Sequence, residues 1–254
     1  MTTHTLLIDA GNTRVKWTLG QADPVSVEAQ GVVALGDWSA LREQWHAVHE
    51  VRQVWLCNVA GSLVETQLQK LAHEKFPQAS WHVAHARKTL CGVSNSYEPP
   101  AKLGADRWAM LVAAHHLHNH QWNLIVSTGT ATTIDALDPQ GRFLGGVILP
   151  GLQLMYRALA HNTADLPQLS ADQQASGFAL NTRDAIASGC LHAHLGAIGS
   201  LYQELQRISD GQTVQLLLTG GAASQLTAHL QYPVHLHNSL VLTGLNIIAS
   251  HALV

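Results

Sequence analysis

Charge is scarce in this sequence. Asp, Glu, Lys and Arg make up only 12% of its 254 residues against 46% hydrophobic, so the chain can bury a sizeable core in one large or two medium domains. Positive charge is neither in excess nor clustered. The net charge is −3 with histidines neutral, and Lys and Arg are scattered. The basic stripe that a phosphate backbone demands is missing, which argues against nucleic acid as a partner. Cysteine is rarer still: Cys57, Cys91 and Cys190 are odd in number and far apart. That excludes a disulfide framework and Cys-x-x-Cys metal spacing, and the three are expected as reduced, buried thiols. No run of about 18 apolar residues occurs, and Met1-Thr2-Thr3-His4 lacks the charged and apolar regions of a signal sequence. No membrane partner is expected, and the cytoplasm is the expected location.

Histidine, by contrast, is plentiful, with 17 in the chain. The stretch His115-His116-His118-His120 invites a metal reading, since imidazole is a common Zn²⁺ ligand. It lies at the end of a helical pattern without a neighbouring Cys or carboxylate, which favours solvated or capping histidines. His192 and His194 are read the same way.

The chain is organised around Leu6-Leu7-Ile8-Asp9-Ala10-Gly11-Asn12-Thr13-Arg14-Val15-Lys16-Trp17. An apolar strand, a tight polar turn and an alternating return predict a hairpin with Asp9 at its mouth and Val15 and Trp17 on one face. A phosphate chain with its magnesium needs a carboxylate for the hydrated cation, backbone N–H groups unshielded by side chains, and hydroxyl or ammonium donors. Asp9, Gly11 with Asn12, and Thr13 with Lys16 are those residue types. An ordinary hairpin with an Asx-type turn fits the same residues equally well.

Downstream, Trp38 to Val48 has helical spacing and Val51 to Cys57 reads as a strand. Ser62 is a plausible cap for the helix after it, and Trp81 to Ala84 gives a short strand. Three early strands followed by alternating helices and strands describe an α/β domain with a mixed sheet. Lys88 to Pro100 is read as an irregular loop leading into Gly104-Ala105-Asp106-Arg107-Trp108 and a helix. Asp106 there has a plain reading as a carboxylate favoured by the helix N-terminus.

From Trp122 the opening pattern repeats as strand, Ser127-Thr128-Gly129-Thr130 turn and β-branched return. The echo predicts two domains of similar build, at 1–117 and 118–254, with phosphate turns facing each other. Gly145-Gly146 suggests a bulge or close approach, Asn181-Thr182 a helix cap, and Thr219-Gly220-Gly221 a strand end with bare backbone for an adenine.

Together, Asp9-x-Gly11-Asn12-Thr13-x-x-Lys16, Ser127-Thr128-Gly129-Thr130-Ala131 and Thr219-Gly220-Gly221 resemble the phosphate-1, phosphate-2 and adenosine motifs of the superfamily joining actin, hexokinase and the heat-shock chaperone ATPases. Within it the chain resembles the type III pantothenate kinases. The family-specific marks are Gly11-Asn12-Thr13 with Lys16, Tyr97-x-x-Pro100 before Gly104 to Trp108, Gly145-Gly146-x-Ile148-x-Pro150-Gly151, and Asn181-Thr182.

The resemblance implies an α/β fold of two similar actin-like (ribonuclease H-like) domains, with mixed sheets flanking a nucleotide cleft. It implies ATP-dependent phosphorylation of pantothenate to 4'-phosphopantothenate, the first step of coenzyme A biosynthesis, with Asp106 as general base. ATP and Mg²⁺ would be held by Asp9, Ala10, Gly11, Asn12, Thr13, Lys16, Thr130, Thr132, Gly220 and Gly221, with Asp9 reaching the metal through water. Pantothenate would be held by Tyr97, Gly104, Ala105, Asp106 and Arg107, and by Thr182 of the second protomer in a homodimer. The family also uses K⁺ or NH₄⁺ bound by an Asp, and here Ser127 stands in that place, so no ligand is assigned and activation is expected to be weaker than usual for the family. The alternative reading is a non-catalytic ATP-binding regulatory protein on the same fold, against which Asp9, Lys16, Asp106 and Arg107 argue.

Overall fold

The computed structural model describes residues 4–20, 27–170, 173 and 177–252. The first half of the chain forms β1 (His4–Ala10), β2 (Arg14–Gly20), β3 (Val27–Ala34), α1 (Trp38–His46), β4 (Val51–Asn58), α2 (Ser62–Lys75) and β5 (Ser80–Val83). A two-residue hairpin of β6 (Thr89–Leu90) and β7 (Val93–Ser94) follows, then a 3₁₀ turn at Pro100–Lys102 and α3 (Ala105–Leu117). The second half forms β8 (Trp122–Thr128), β9 (Ala131–Leu137), β10 (Phe143–Pro150), α4 (Leu152–Asn162), α5 (Thr182–Ile208), β11 (Val214–Thr219), α6 (Ala223–Thr227), β12 (Val234–His237) and α7 (Leu240–His251).

The internal echo seen in the sequence is an echo of topology. One sheet runs β3-β2-β1-β4-β5 and the other β10-β9-β8-β11-β12, the same order of five strands built twice. In each, the opening hairpin is antiparallel, and on the far side of its first strand two strands add in parallel, β4 and β5 in one sheet and β11 and β12 in the other; β3 adds antiparallel to β2. This is the pair of mixed α/β sheets that the resemblance implied. Two compact units result, but the first is not contiguous in sequence: besides β1 to Asn119 it takes in Gln140–Phe143 and α7.

Alternation along the strands explains the layers of the first unit. Leu6 and Ile8 of β1, Val15 and Trp17 of β2 and Val54 and Leu56 of β4 enter one core with Leu41 and Trp45 of α1 and Leu68 and Leu71 of α2. Asp9 and Cys57 therefore point to the opposite face, where α3 and α7 lie against β1 and β4. α7 buries residues all round its circumference, including Leu240, Leu242, Leu245, Asn246 and Ile248, as an apolar helix between two layers must. Gly244 makes this possible: a Cβ there would overlap the Ala109 carbonyl of α3.

In the second unit Leu124, Val126, Ile134, Leu216 and Leu218 form a core with Leu191, Ile198 and Leu205 of α5. Two sequence expectations need correction. The residue capping α2 is Gly61, whose φ of 97° only glycine adopts without strain, and Ser62 is the first helical residue. Cys91 is only half-buried, because it occupies the tip of the β6–β7 turn at φ 51°.

Candidate functional site

Asp9 ends the exposed-mouth side of β1 and is opposed by Lys16 on β2 and by Cys57 on β4. Directly opposed residues share a sheet face, so carboxylate, ammonium and thiol stand in a row. The turn after them is open. Gly11 donates its N–H to the Arg14 carbonyl at 3.1 Å, while Asn12 and Thr13 are exposed. Ala10 is fully buried, and its carbonyl accepts the Val59 N–H at 3.0 Å.

Asp106 lies in the first turn of α3, behind Gly104 as N-cap. Its Oδ1 accepts the Arg107 N–H at 2.8 Å and folds back over Gly104, where a Cβ would stand 2.6 Å from that oxygen. Glycine is thus required for the carboxylate to adopt this pose. Burial pushes the Asp106 carboxyl above its ordinary range, against the Arg107 N–H and guanidinium, which lower it. Burial likewise pushes Asp9 up to about 7; Lys16 lowers it, and the negative charge of Asp106 raises it further. Cys57 is raised by its own burial and by both carboxylates. Asp9 and Asp106 therefore share one neighbourhood, two carboxylates set beside the Lys16 ammonium and the Arg107 guanidinium. Such a donor set suits a hydrated divalent cation, since Mg²⁺ is commonly held by one or two carboxylates and otherwise by water. Among the described residues no three His, Cys, Asp or Glu side chains converge as a metal cage.

Arg107 is buried, and its Cζ stands 5.7 Å from the Tyr97 ring and 5.8 Å from the Phe143 ring. The Tyr97 loop is fixed by Asn95, which accepts the Tyr97 N–H at 2.9 Å and donates to the Pro100 carbonyl at 3.1 Å. The sequence reading passed over Asn95, although an Asn two residues ahead of the loop's aromatic is an Asx-turn signal. Ala105 begins α3 and is half-buried.

The other predicted residues lie in the second unit. In its first hairpin Gly129 donates to the Ala131 carbonyl at 3.0 Å. Gly151 donates to the Thr130 carbonyl at 3.0 Å, and a Cβ on Gly151 would overlap the Gly129 carbonyl. Gly151 thus clasps the turn that carries Thr130. Thr132 is buried, and its hydroxyl meets His194 Nε2 at 3.1 Å, while His194 Nδ1 lies 2.8 Å from the Cys190 carbonyl. That carbonyl fixes the proton on Nδ1, so the Thr132 hydroxyl donates to Nε2. His194 is therefore no solvated histidine: it is fully buried and ties α5 to β9. His192 is exposed.

The two glycines after β11 differ. Gly220, at φ 100°, faces the Thr128 backbone, where a Cβ would stand 2.5 Å from the carbonyl oxygen; Gly221 has open space. Thr128 also donates to the Thr219 carbonyl at 2.9 Å. Ser127 is half-buried on β8, flanked by Thr133 and Thr219. Thr182 is exposed at the start of α5, whose cap Asn181 accepts the Asp184 N–H at 3.0 Å.

The family model for type III pantothenate kinases matches residues 5–204 of this chain. Proteins called type III pantothenate kinase from Burkholderia lata and Burkholderia multivorans are 39% and 38% identical to it. Each alignment covers 97% of this chain, with 95% and 97% of the respective relative. Among solved structures, a Campylobacter jejuni protein described as a Baf family transcriptional activator superposes with TM-score 0.63 at 19% identity, covering 98% of this chain and all of that one. The ethanolamine utilization protein EutJ from Carboxydothermus hydrogenoformans superposes with TM-score 0.56 at 13% identity, covering 99% and 90%. At those identities the likeness is one of fold. The near-complete sequence matches go further, and by them the chain belongs to the type III pantothenate kinase family.

Proposed function

We propose that the protein transfers the γ-phosphoryl group of ATP to the primary hydroxyl of pantothenate, giving 4'-phosphopantothenate and ADP in the first step of coenzyme A biosynthesis. The observation that carries this is the pairing of family membership with Asp106 at the α3 N-terminus, its pKa lifted by burial and its charge felt at Asp9. A base for a hydroxyl proton works best when its pKa approaches the working pH, and burial moves Asp106 that way. Phosphoryl transfer otherwise asks for alignment and charge neutralisation. Asp9, through water, would hold Mg²⁺, which when bound neutralises phosphate charge. In the first unit, Gly11 with Asn12, Thr13 and Lys16 would bind phosphate oxygens, with the buried Ala10 supporting the turn beneath them. In the second unit, Thr130 and the open face of Gly221 would be nucleotide contacts, with the buried Thr132 behind the turn. Tyr97, Gly104, Ala105 and Arg107 would hold pantothenate.

The working form on this reading is a homodimer in the cytoplasm. Its support is the full exposure of Phe178 and Leu180 immediately before Thr182, together with exposed Val147, Ile148 and Leu154. No helix among the described residues is long and apolar enough to cross a membrane.

Coupled ADP release with Mg²⁺-ATP and pantothenate tests the proposal. Pantothenate-dependent turnover is expected, and Asp106→Asn is expected to abolish it while leaving the fold intact. ATP binding without turnover by the unaltered protein would overturn it. In the same assay, K⁺ at constant ionic strength is expected to raise the rate only weakly, since the Ser127 hydroxyl brings an oxygen but no charge to a cation. A steep K⁺ response would contradict that expectation.

A further inference from the structure

The turn between β9 and β10 contributes a residue to the first unit that no motif marks. Gln140–Phe143 groups with that unit although the strands on either side belong to the other sheet. Gly141 accepts the Ser94 N–H at 2.8 Å and meets Gly92 so closely that a Cβ on it would overlap the Gly92 carbonyl. Arg142 bridges to Ser94. The turn is thus bound backbone to backbone to the β6–β7 hairpin, and the next residue, Phe143, is fully buried. Its ring lies 6.4 Å from that of Tyr97, at 20° between planes. With Arg107 Cζ at 5.7 Å and 5.8 Å from the two centroids, guanidinium and rings form a nearly equilateral triangle.

Arg107 is buried, with 4% of the residue exposed, so its guanidinium has lost most of its water. Aromatic faces replace part of that solvation through their quadrupoles and also fix the plane of the fork. Phe143 differs from Tyr97 in having no polar atom to offer a ligand, so what it contributes is the placement of Arg107. We infer that Phe143 is a positioning residue for substrate binding, holding the Arg107 guanidinium in the orientation that receives pantothenate. This rests on the pantothenate reading of Arg107 given above.

Phe143→Met removes the aromatic face while nearly conserving apolar volume, and Phe143→Tyr keeps the face. Relative to the unaltered protein, Phe143→Met is expected to raise KM for pantothenate about tenfold, with KM for ATP unchanged; Phe143→Tyr is expected to stay within about twofold. In an Arg107→Ala background Phe143→Met is expected to add nothing further to the pantothenate KM, as for two residues acting through one contact. An unchanged pantothenate KM, an equal rise in both KM values, or full additivity with Arg107→Ala would overturn the inference. Phe143→Leu provides the same comparison should the Met variant melt below the assay temperature. If the unaltered protein shows no pantothenate-dependent turnover, the reading of the site falls and this inference with it. Turnover with an unaltered KM in both non-aromatic variants removes the inference alone.

Discussion

Asp9 stands beside Lys16 on β2, with Asp106 near enough to add to its rise, and the net effect of burial and charge is a carboxyl lifted from 3.8 to about 7. A raised carboxyl pKa in the fold means that the folded state binds the proton more tightly than the unfolded chain does. Stability therefore falls as pH rises between those two values, and the loss is complete above about 7. In Mg²⁺-free buffer the melting temperature is expected to be higher near pH 5 than near pH 8, and Asp9→Asn should flatten that difference. Equal slopes for the two proteins would show that Asp9 carries no such load. His194 teaches a second lesson at this scale. Thr132→Val leaves a buried imidazole nitrogen without its donor, so urea denaturation should show a loss of about 1–3 kcal/mol, with Thr132→Ser much milder. The places of Asp9, Gly11 and Lys16 in a hairpin and of Asp106 at a helix start were legible in the sequence because those signals are local. The burial of His194 was not legible, since the residue that satisfies it is 62 positions away.

Elements were legible where the hydrophobic period was strong. The two hairpins and the strands β4, β8 and β11 fall where alternation or apolar runs placed them. What the pattern does not encode is which sheet an element covers. α7 follows β12 directly in sequence yet packs on α3 and β1, because its all-round apolar surface needs two layers and the face of β1 bearing Leu7 and Asp9 offers one. Gly244, which permits that approach, is silent in sequence: a glycine inside a helix reads as a mere weakness. Gly244→Ala would press a methyl onto the Ala109 carbonyl, and since backbone cannot yield as a side chain can, a loss of about 1–3 kcal/mol or more is expected. The affected helix carries Asp106 at its start, so turnover should fall alongside the urea midpoint. A variant as stable as the original would mean that α3 and α7 separate readily. Gly151→Ala has the same logic at the Thr130 turn, where the expected sign is a raised KM for ATP.

At the scale of the whole molecule, the repeated strand order builds one scaffold twice, and the chemistry differs because the loops differ. The first unit bears both carboxylates and the Arg107 seat; the second bears the hydroxyl-rich turn, the open Gly221 and the exposed stretch from Phe178 to Thr182. Large apolar side chains standing wholly in solvent are unusual unless something covers them, and here they adjoin a residue assigned to a second protomer's substrate. Phe178→Glu with Leu180→Glu should therefore shift the protein from dimer to monomer in sedimentation equilibrium and raise KM for pantothenate with it. Subunit mixing separates a shared site from mere association. Asp106→Asn and Thr182→Trp homodimers should each be nearly inactive. After exchange at equal concentration about half of the dimers are mixed, and in each mixed dimer one site combines an intact Asp106 with the partner's intact Thr182. Activity should then recover to about a quarter of that of the unaltered protein, a value fixed by the two-fold symmetry alone. Without recovery, although subunit exchange is seen, each protomer would have to complete its own site and Thr182 would serve only the start of α5.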